Sequence, residues 1–230
     1  MIRLVIFDFD DTITDNKILD YNAFLVPCQR LRISSPTGKE ILRLRKKGIV
    51  AKKIMCMHLK KLQKNNLLSK FLTLRTNFLN SLKTISYLKL QKDVELVLLN
   101  IKQRKIKCIL CSTKKNKSIL KEFLKKNNII KFFSEILTIE DLGFYLNNYN
   151  SSNRILIKKS IIYYFLKNQK IKPKEILFIG NSIDDLKAAT EFGISVILYQ
   201  NSYLPRIDSK KIKLVNNMTH LNSLINSILK

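Results

Sequence analysis

The sequence predicts an α/β fold, a doubly wound parallel sheet with an inserted α-helical domain, and three observations carry that prediction. Apolar runs of strand length alternate with helical patterns along much of the chain, the signature of parallel strands joined by crossover helices. The first run, Leu4-Val5-Ile6-Phe7, leads directly into the acidic turn Asp8-Phe9-Asp10-Asp11-Thr12, and open α/β sheets place their chemistry at the carboxyl ends of strands. Nearly a hundred residues then pass before the next convincing buried strand, Ile106 to Cys111. A crossover helix needs far fewer, so something is inserted.

Taken in order, strand one is expected from about Arg3 to Asp8. In the insert, Thr37-Gly-Lys-Glu40 follows Pro36 as a capping box, and the helix it opens should stop at Gly48 behind Lys46 and Lys47. Ala51, Ile54, Met55, His58, Leu59 and Leu62 recur at helical spacing, as do Leu67, Leu68, Phe71, Leu72, Phe78, Leu79 and Leu82. The expected division is a core of residues 1–14 and 84–230 with a helical domain at 15–83. His58 lies on an apolar stripe with no second ligand at i+4 and reads as an edge-of-core residue.

From Leu88 the pattern returns to alternating elements. A helix is expected at about Lys92 to Gln103, then the strand ending at Cys111, a helix near Lys117 to Lys126 and a strand near Glu135 to Thr138. A helix at about Lys158 to Asn168 precedes the strand Ile176 to Ile179. Strands at Ser195 to Tyr199 and Lys213 to Val215, and a helix after Thr219, complete the core. Asn147 to Asn153 reads as an exposed polar loop. No internal repeat or low-complexity linker is present.

The 230 residues are 46% apolar, enough for a sizeable core. No apolar stretch approaches the roughly 20 residues that cross a bilayer, and the N-terminus enters a strand at once. A cytoplasmic protein without membrane attachment is the expectation. Cys108 and Cys111 fall inside a buried strand, and no second pair completes a zinc site, so they read as reduced core residues. The formal charge is +26, with 43 basic residues against 17 acidic ones. Because the lysines are spread over every expected element, without a basic tail or interleaved aromatics, no specific nucleic-acid partner is expected. A positive field still draws in phosphorylated metabolites.

The chemistry gathers at strand ends. Alternate strand residues share a face, so Asp8 and Asp10 can point into one crevice, bind one divalent cation and divide nucleophilic and proton-transfer work. Ser112-Thr113 ends the second strand with a hydroxyl and backbone N–H donors. Lys158 and Lys159 open a helix, and Lys158 sits three and four residues before Ile161 and Ile162, on the buried side. The strand Ile176-Leu177-Phe178-Ile179 runs into Gly180-Asn181-Ser182-Ile183-Asp184-Asp185, where Gly180 permits a tight turn. Asp15 and Arg45 are candidate ligand contacts but read better as helix-entry and surface charges.

Asp-x-Asp-x-Thr after an N-terminal hydrophobic strand, with a strand-Gly-Asn-Ser-x-x-Asp segment in the second half, resembles the first and fourth motifs of the haloacid dehalogenase-like (HAD) phosphatases. The family usually has a metal-binding Asp where this chain has Asn181. The resemblance implies an HAD-like Rossmannoid core with a C1-type helical cap and a small phosphorylated substrate. Asp8 would attack phosphorus to form an aspartyl-phosphate, and Asp10 would protonate the leaving oxygen and later activate water. Ser112 and Lys158 would hold the phosphoryl group. Mg2+ would be held by Asp8, Asp10, Asn181 and Asp185, with Asp184 as a further source of charge. A missing unit charge at about 4 Å is worth on the order of 4 kcal/mol at an effective dielectric of 20. The alternatives are therefore a catalytically weakened binding or regulatory protein, a phosphomutase, and a phosphatase of nucleic-acid ends.

Overall fold

Leu4–Asp8 forms β1, and every residue in it is buried. A computed structural model describes residues 1–146, 153–167, 169–200 and 213–229. After β1 the N–H groups of Thr12, Ile13 and Thr14 converge on the Phe9 carbonyl, which turns the chain into the two-residue β2, Thr14–Asp15.

Four helices follow: α1 (Lys17–Arg30), α2 (Gly38–Lys46), α3 (Ala51–Lys61) and α4 (Leu68–Leu79). Asn16–Leu88 is a compact unit of its own. Its core is Phe24, Cys28, Ile41, Leu44, Ile54, Met55, Leu59 and Phe71, the i, i+3, i+4 positions of α3 and α4 closing on α1 and α2. Sequence reasoning missed α1, which lacks a side-chain N-cap and carries Pro27 in its interior. At α2 the capping box forms by half. The Thr37 hydroxyl accepts from the Glu40 N–H at 3.2 Å, while the Glu40 carboxylate pairs with Lys61 at 3.0 Å. Gly48, at φ 75°, ends that helix as expected.

The chain re-enters through β3 (Lys89–Leu90), antiparallel to β2. Then come α5 (Val94–Gln103), β4 (Lys107–Cys111), α6 (Lys117–Lys126), β5 (Glu135–Leu137), α7 (Arg154–Lys167), β6 (Ile176–Gly180), α8 (Ile183–Thr190), β7 (Ser195–Tyr199), β8 (Lys213–Val215) and α9 (Met218–Ile228). The sheet runs β5-β4-β1-β6-β7-β8 with every pairing parallel, the doubly wound arrangement that the alternation of elements predicts. α5 starts two residues later than expected, behind Asp93 in the left-handed region. α7 starts four residues earlier, where the Asn153 side chain accepts from Ile155 and Leu156 N–H. Of the expected loop at Asn147 to Asn153, residues 147–152 lie outside the described residues, as does Asn168. Among the described residues no helix is long and apolar enough to cross a membrane.

β1 lies between β4 and β6, so its carboxyl end has a strand end on each side. Leu4 and Ile6 belong to the core cluster with Ile161, Ile162 and Phe165 of α7 and Ala188 and Ala189 of α8. By the two-residue period of a strand, Asp8 continues that face toward α7 and α8.

Candidate functional site

Asp8 is the last residue of β1 and is paired in register with Cys111, so Ser112 begins the loop beside it. The Lys158 ammonium, buried on α7, donates to Asp8 Oδ1 at 2.6 Å and also to Asp185 Oδ1 on α8. One ammonium between two buried carboxylates leaves this trio with excess negative charge. Burial raises the Asp8 pKa to about 7, outweighing the downward pull of Lys158. Burial opposes the charge on Lys158, but Asp185 and Asp8 together lift its pKa above the ordinary lysine value. Asp185 is held below the usual carboxylate range against its own burial, chiefly by Lys158 and then by Ser182.

The loop after β6 is built around Asp185. Its Oδ2 accepts from the Asn181 N–H at 3.0 Å, the Ser182 N–H at 3.0 Å and the Ser182 hydroxyl at 2.7 Å. Ser182 Oγ in turn accepts from the Asp185 N–H, a complete capping box for α8. Gly180 is what allows this packing: a Cβ there would lie 2.6 Å from Asp185 Cγ. Asn181 takes part through its backbone alone. Among the described residues its carboxamide makes no hydrogen bond, and the half-buried Asp184 carboxylate makes no hydrogen bond or ion pair.

On the other side of β1, the Ser112 N–H is committed to the Leu137 carbonyl and Ser112 Oγ accepts from the Lys114 N–H. Among the described residues the Ser112 hydroxyl proton and the Thr113 N–H have no acceptor and remain as donors at this strand end. Asp10 lies beyond β1 and does not share Asp8's partner. Its Oδ1 is 3.2 Å from the Lys114 ammonium, which also sits over the Phe9 ring. Lys114 is a site residue that sequence reasoning missed, because in so lysine-rich a chain nothing marks one lysine three residues past a strand. Thr12 Oγ1 is fully buried and has no hydrogen-bond partner among the described residues.

The structure therefore brings Asp8, Ser112, Lys158, Asn181 and Asp185 to the ends of β1, β4 and β6, with Asp10 on the adjoining turn. Lys159 points elsewhere and pairs with Glu191. Arg45 is not the surface charge it reads as: it forks onto Asp20 at 2.7 and 2.8 Å inside the helical unit. Asp15 is in β2. Cys108 and Cys111 are free and buried, with burial pushing their thiols up to about 12. His58 Nε2 donates to the Ser34 carbonyl at 2.9 Å and ties α3 to the loop between α1 and α2.

Among the described residues no group of three or more His, Cys, Asp or Glu is arranged to hold a metal ion. The oxygen set present is nonetheless the hard one magnesium takes, since Mg2+ commonly uses one or two carboxylates and keeps several waters. It comprises the Asp8 carboxylate and the Asn181 carboxamide, which makes no hydrogen bond among the described residues. Asp185 fits less well, because both of its oxygens already accept protein hydrogen bonds.

The fold recurs in solved structures. A phosphoglycolate phosphatase, so predicted, from Haemophilus somnus matches with a TM-score of 0.70 at 17% identity, covering 97% of each chain. YfnB from Bacillus subtilis, solved bound to magnesium, matches at 0.66 and 17%, covering 98% of this chain and 99% of that one. CbbY from Rhodobacter sphaeroides, solved in complex with phosphate, matches at 0.64 and 15%, covering 96% of each. No curated protein sequence matches. The family model for haloacid dehalogenase-like hydrolases matches residues 5–199, a span that takes in all of these strand ends, and the chain belongs to that family.

Proposed function

We propose that this hydrolase is a magnesium-dependent phosphatase of small phosphorylated metabolites, with Asp8 as nucleophile and Asp10 as acid and base. The observation that carries the reading is Asp8 itself: a buried carboxylate at the end of the central strand, fixed by a buried lysine and flanked by the Ser112 loop. Burying such charges is costly, and strongly perturbed groups of this kind gather where chemistry is done.

In the first half-reaction an Asp8 oxygen attacks phosphorus while the bond to the leaving oxygen breaks. Asp10, in its acid form, gives that oxygen a proton. Asp10, now a carboxylate, then takes a proton from water, whose oxygen attacks the phosphorus of the Asp8 acyl phosphate. The bond to Asp8 breaks, inorganic phosphate leaves and the carboxylate is restored. Two easier steps replace one difficult one. Lys158 fixes the Asp8 carboxylate and, with the Ser112 hydroxyl and Thr113 N–H, offsets charge on the phosphoryl oxygens. Asp185 acts through Lys158 and the Asn181-Ser182 backbone. Magnesium, held by Asp8, the Asp10 carbonyl and Asn181, would supply positive charge to the attacking and leaving oxygens. YfnB and CbbY, with this fold, were solved with magnesium and with phosphate, the two groups the reading needs.

Asn181 favours one competing reading, a protein that binds phosphorylated ligands without turning them over. Phosphate release from p-nitrophenyl phosphate, with and without MgCl2, separates the two. The phosphatase reading expects magnesium-dependent release that falls at least about a thousandfold in Asp8→Asn. No release at saturating magnesium, with phosphate binding retained, would establish the competing reading.

A further inference from the structure

The turn that carries Asp10 is clasped at both ends. At its start Phe9 is fully buried and packs edge-on against Phe123 of α6, with ring centroids 5.6 Å apart. The Phe9 carbonyl accepts from the Ile13 and Thr14 N–H groups at 3.0 and 3.1 Å and from the Thr14 hydroxyl at 3.1 Å. Between these anchors Asp11 sits in the left-handed region at φ 57°, a conformation that a residue with a side chain holds only where its surroundings impose it.

At its far end the turn is bolted to the sheet. Gln91, the residue after β3, donates its backbone N–H to the Ile13 carbonyl at 2.9 Å and its Nε2 to the Thr14 carbonyl at 3.1 Å. Gln91 Oε1 accepts from the Tyr199 hydroxyl, 3.3 Å away at the end of β7. Thr14, Gln91 and Tyr199 are all buried. Each polar group has one possible part to play: a backbone carbonyl can only accept, so the amide nitrogen faces Thr14 and the amide oxygen is left for a hydroxyl that donates. Burial, with Asp15 and Asp11 nearby, raises the Tyr199 pKa, which keeps that hydroxyl protonated. Removing any one member would strand a buried partner.

β7 is separated from β1 by β6, so this chain of bonds runs from the second neighbour of the central strand to the Asp10 turn. From this we infer that Gln91 and Tyr199 are positioning residues for Asp10, holding through Thr14 the turn that presents its carboxylate. The inference rests on the phosphatase reading for what Asp10 does, but not for the clasp itself. A misaligned acid costs most where the departing oxygen is strongly basic and needs a proton, and least where it leaves as a weakly basic nitrophenolate.

Phenyl phosphate and p-nitrophenyl phosphate therefore separate loss of the clasp from general damage. In Tyr199→Phe and in Gln91→Leu, each checked for folding by circular dichroism, kcat/KM for phenyl phosphate should fall about tenfold or more and that for p-nitrophenyl phosphate less than about threefold. A well-placed general acid is worth roughly 100- to 10,000-fold, and only part of that is lost here. Asp10→Asn should show the same selectivity on a larger scale. Amide hydrogen exchange in the two clasp variants should quicken at Ile13 and Thr14 while Leu177 to Ile179 of β6 keep their protection. Equal losses on the two esters would make the pair a purely structural contact and overturn the inference, as would native exchange rates at Ile13 and Thr14 in both variants. If the native protein releases no phosphate from either ester, the phosphatase reading falls, and quickened exchange at Ile13 and Thr14 still upholds the clasp on the Asp10 turn.

Discussion

The two compact units bury charge in opposite senses. In the sheet unit one ammonium, Lys158, lies between two carboxylates, Asp8 and Asp185. In the helical unit one carboxylate, Asp20, lies between two guanidinium groups, Arg45 and Arg75, with Arg75 also over the Phe24 ring. The surrounding composition follows the same division. Residues 16–88 hold 16 Lys and Arg against two acids, Asp20 and Glu40, while the other 157 residues hold 27 against 15. Both acids of the helical unit are engaged in ion pairs. A triad with spare negative charge at a strand end is suited to a cation and a phosphoryl group. The Asp20 group ties α1, α2 and α4 together as a packing device.

The sharpest way to break that contrast is Lys158→Met. Removing one partner of a buried ionic group leaves the others uncompensated, so unfolding in urea should register a loss of about 3–5 kcal/mol, with phosphatase turnover lost alongside. If stability is unchanged, the trio is not the buried ionic unit described here. Asp20→Asn tests the helical unit in the same assay. Its guanidinium groups keep 17–19% of their side-chain surface exposed, so solvent screening reduces the expected loss to about 2 kcal/mol. Magnesium and phosphate affinity at the sheet unit should not move, and a change there would erase the distinction between the two triads.

A smaller effect lies in the pH dependence of stability. Because the folded pKa of Asp8 is raised to about 7, the native state binds the extra proton between the unfolded carboxylate pKa and that value. The associated stability is full below the unfolded pKa and is lost as pH climbs through 7. Native protein should therefore show a Tm that declines between about pH 4 and pH 7 relative to Asp8→Asn, whose profile should be flatter over that window. Parallel profiles would show that burial does not set the Asp8 charge.

Thr12→Val is the smallest of the four. Its buried hydroxyl has no partner among the described residues, so replacing it with an apolar group of the same shape should be within about 1 kcal/mol of neutral or stabilising.

What the sequence made legible follows from the range of the forces involved. The strands and their order along the chain were readable because burial of an apolar run is a local pattern, and Leu4 to Phe7 or Ile176 to Ile179 carry it without help. The choice between Lys158 and Lys159 was also local, since helical geometry alone separates a residue above Ile161 and Ile162 from its neighbour, and Lys158 is the one the structure turns inward. α1 was hidden because its identity depends on packing against α4, which overrides Pro27. Lys114 and the Lys158 bond to Asp185 were hidden for a different reason: they depend on where segments distant in sequence meet. The half-formed capping box at Thr37 shows the same limit, because the Glu40 carboxylate found Lys61, 21 residues away, instead of its own helix start.

The pairing of β2 with β3 has a consequence for the architecture of the gene product as a whole. Thr14 sits opposite Leu90 and Asp15 opposite Lys89, so the backbone enters and leaves the 73-residue insertion at points only about 5 Å apart. A segment anchored at so narrow a doorway can be lengthened, shortened or exchanged for another without asking the sheet to move.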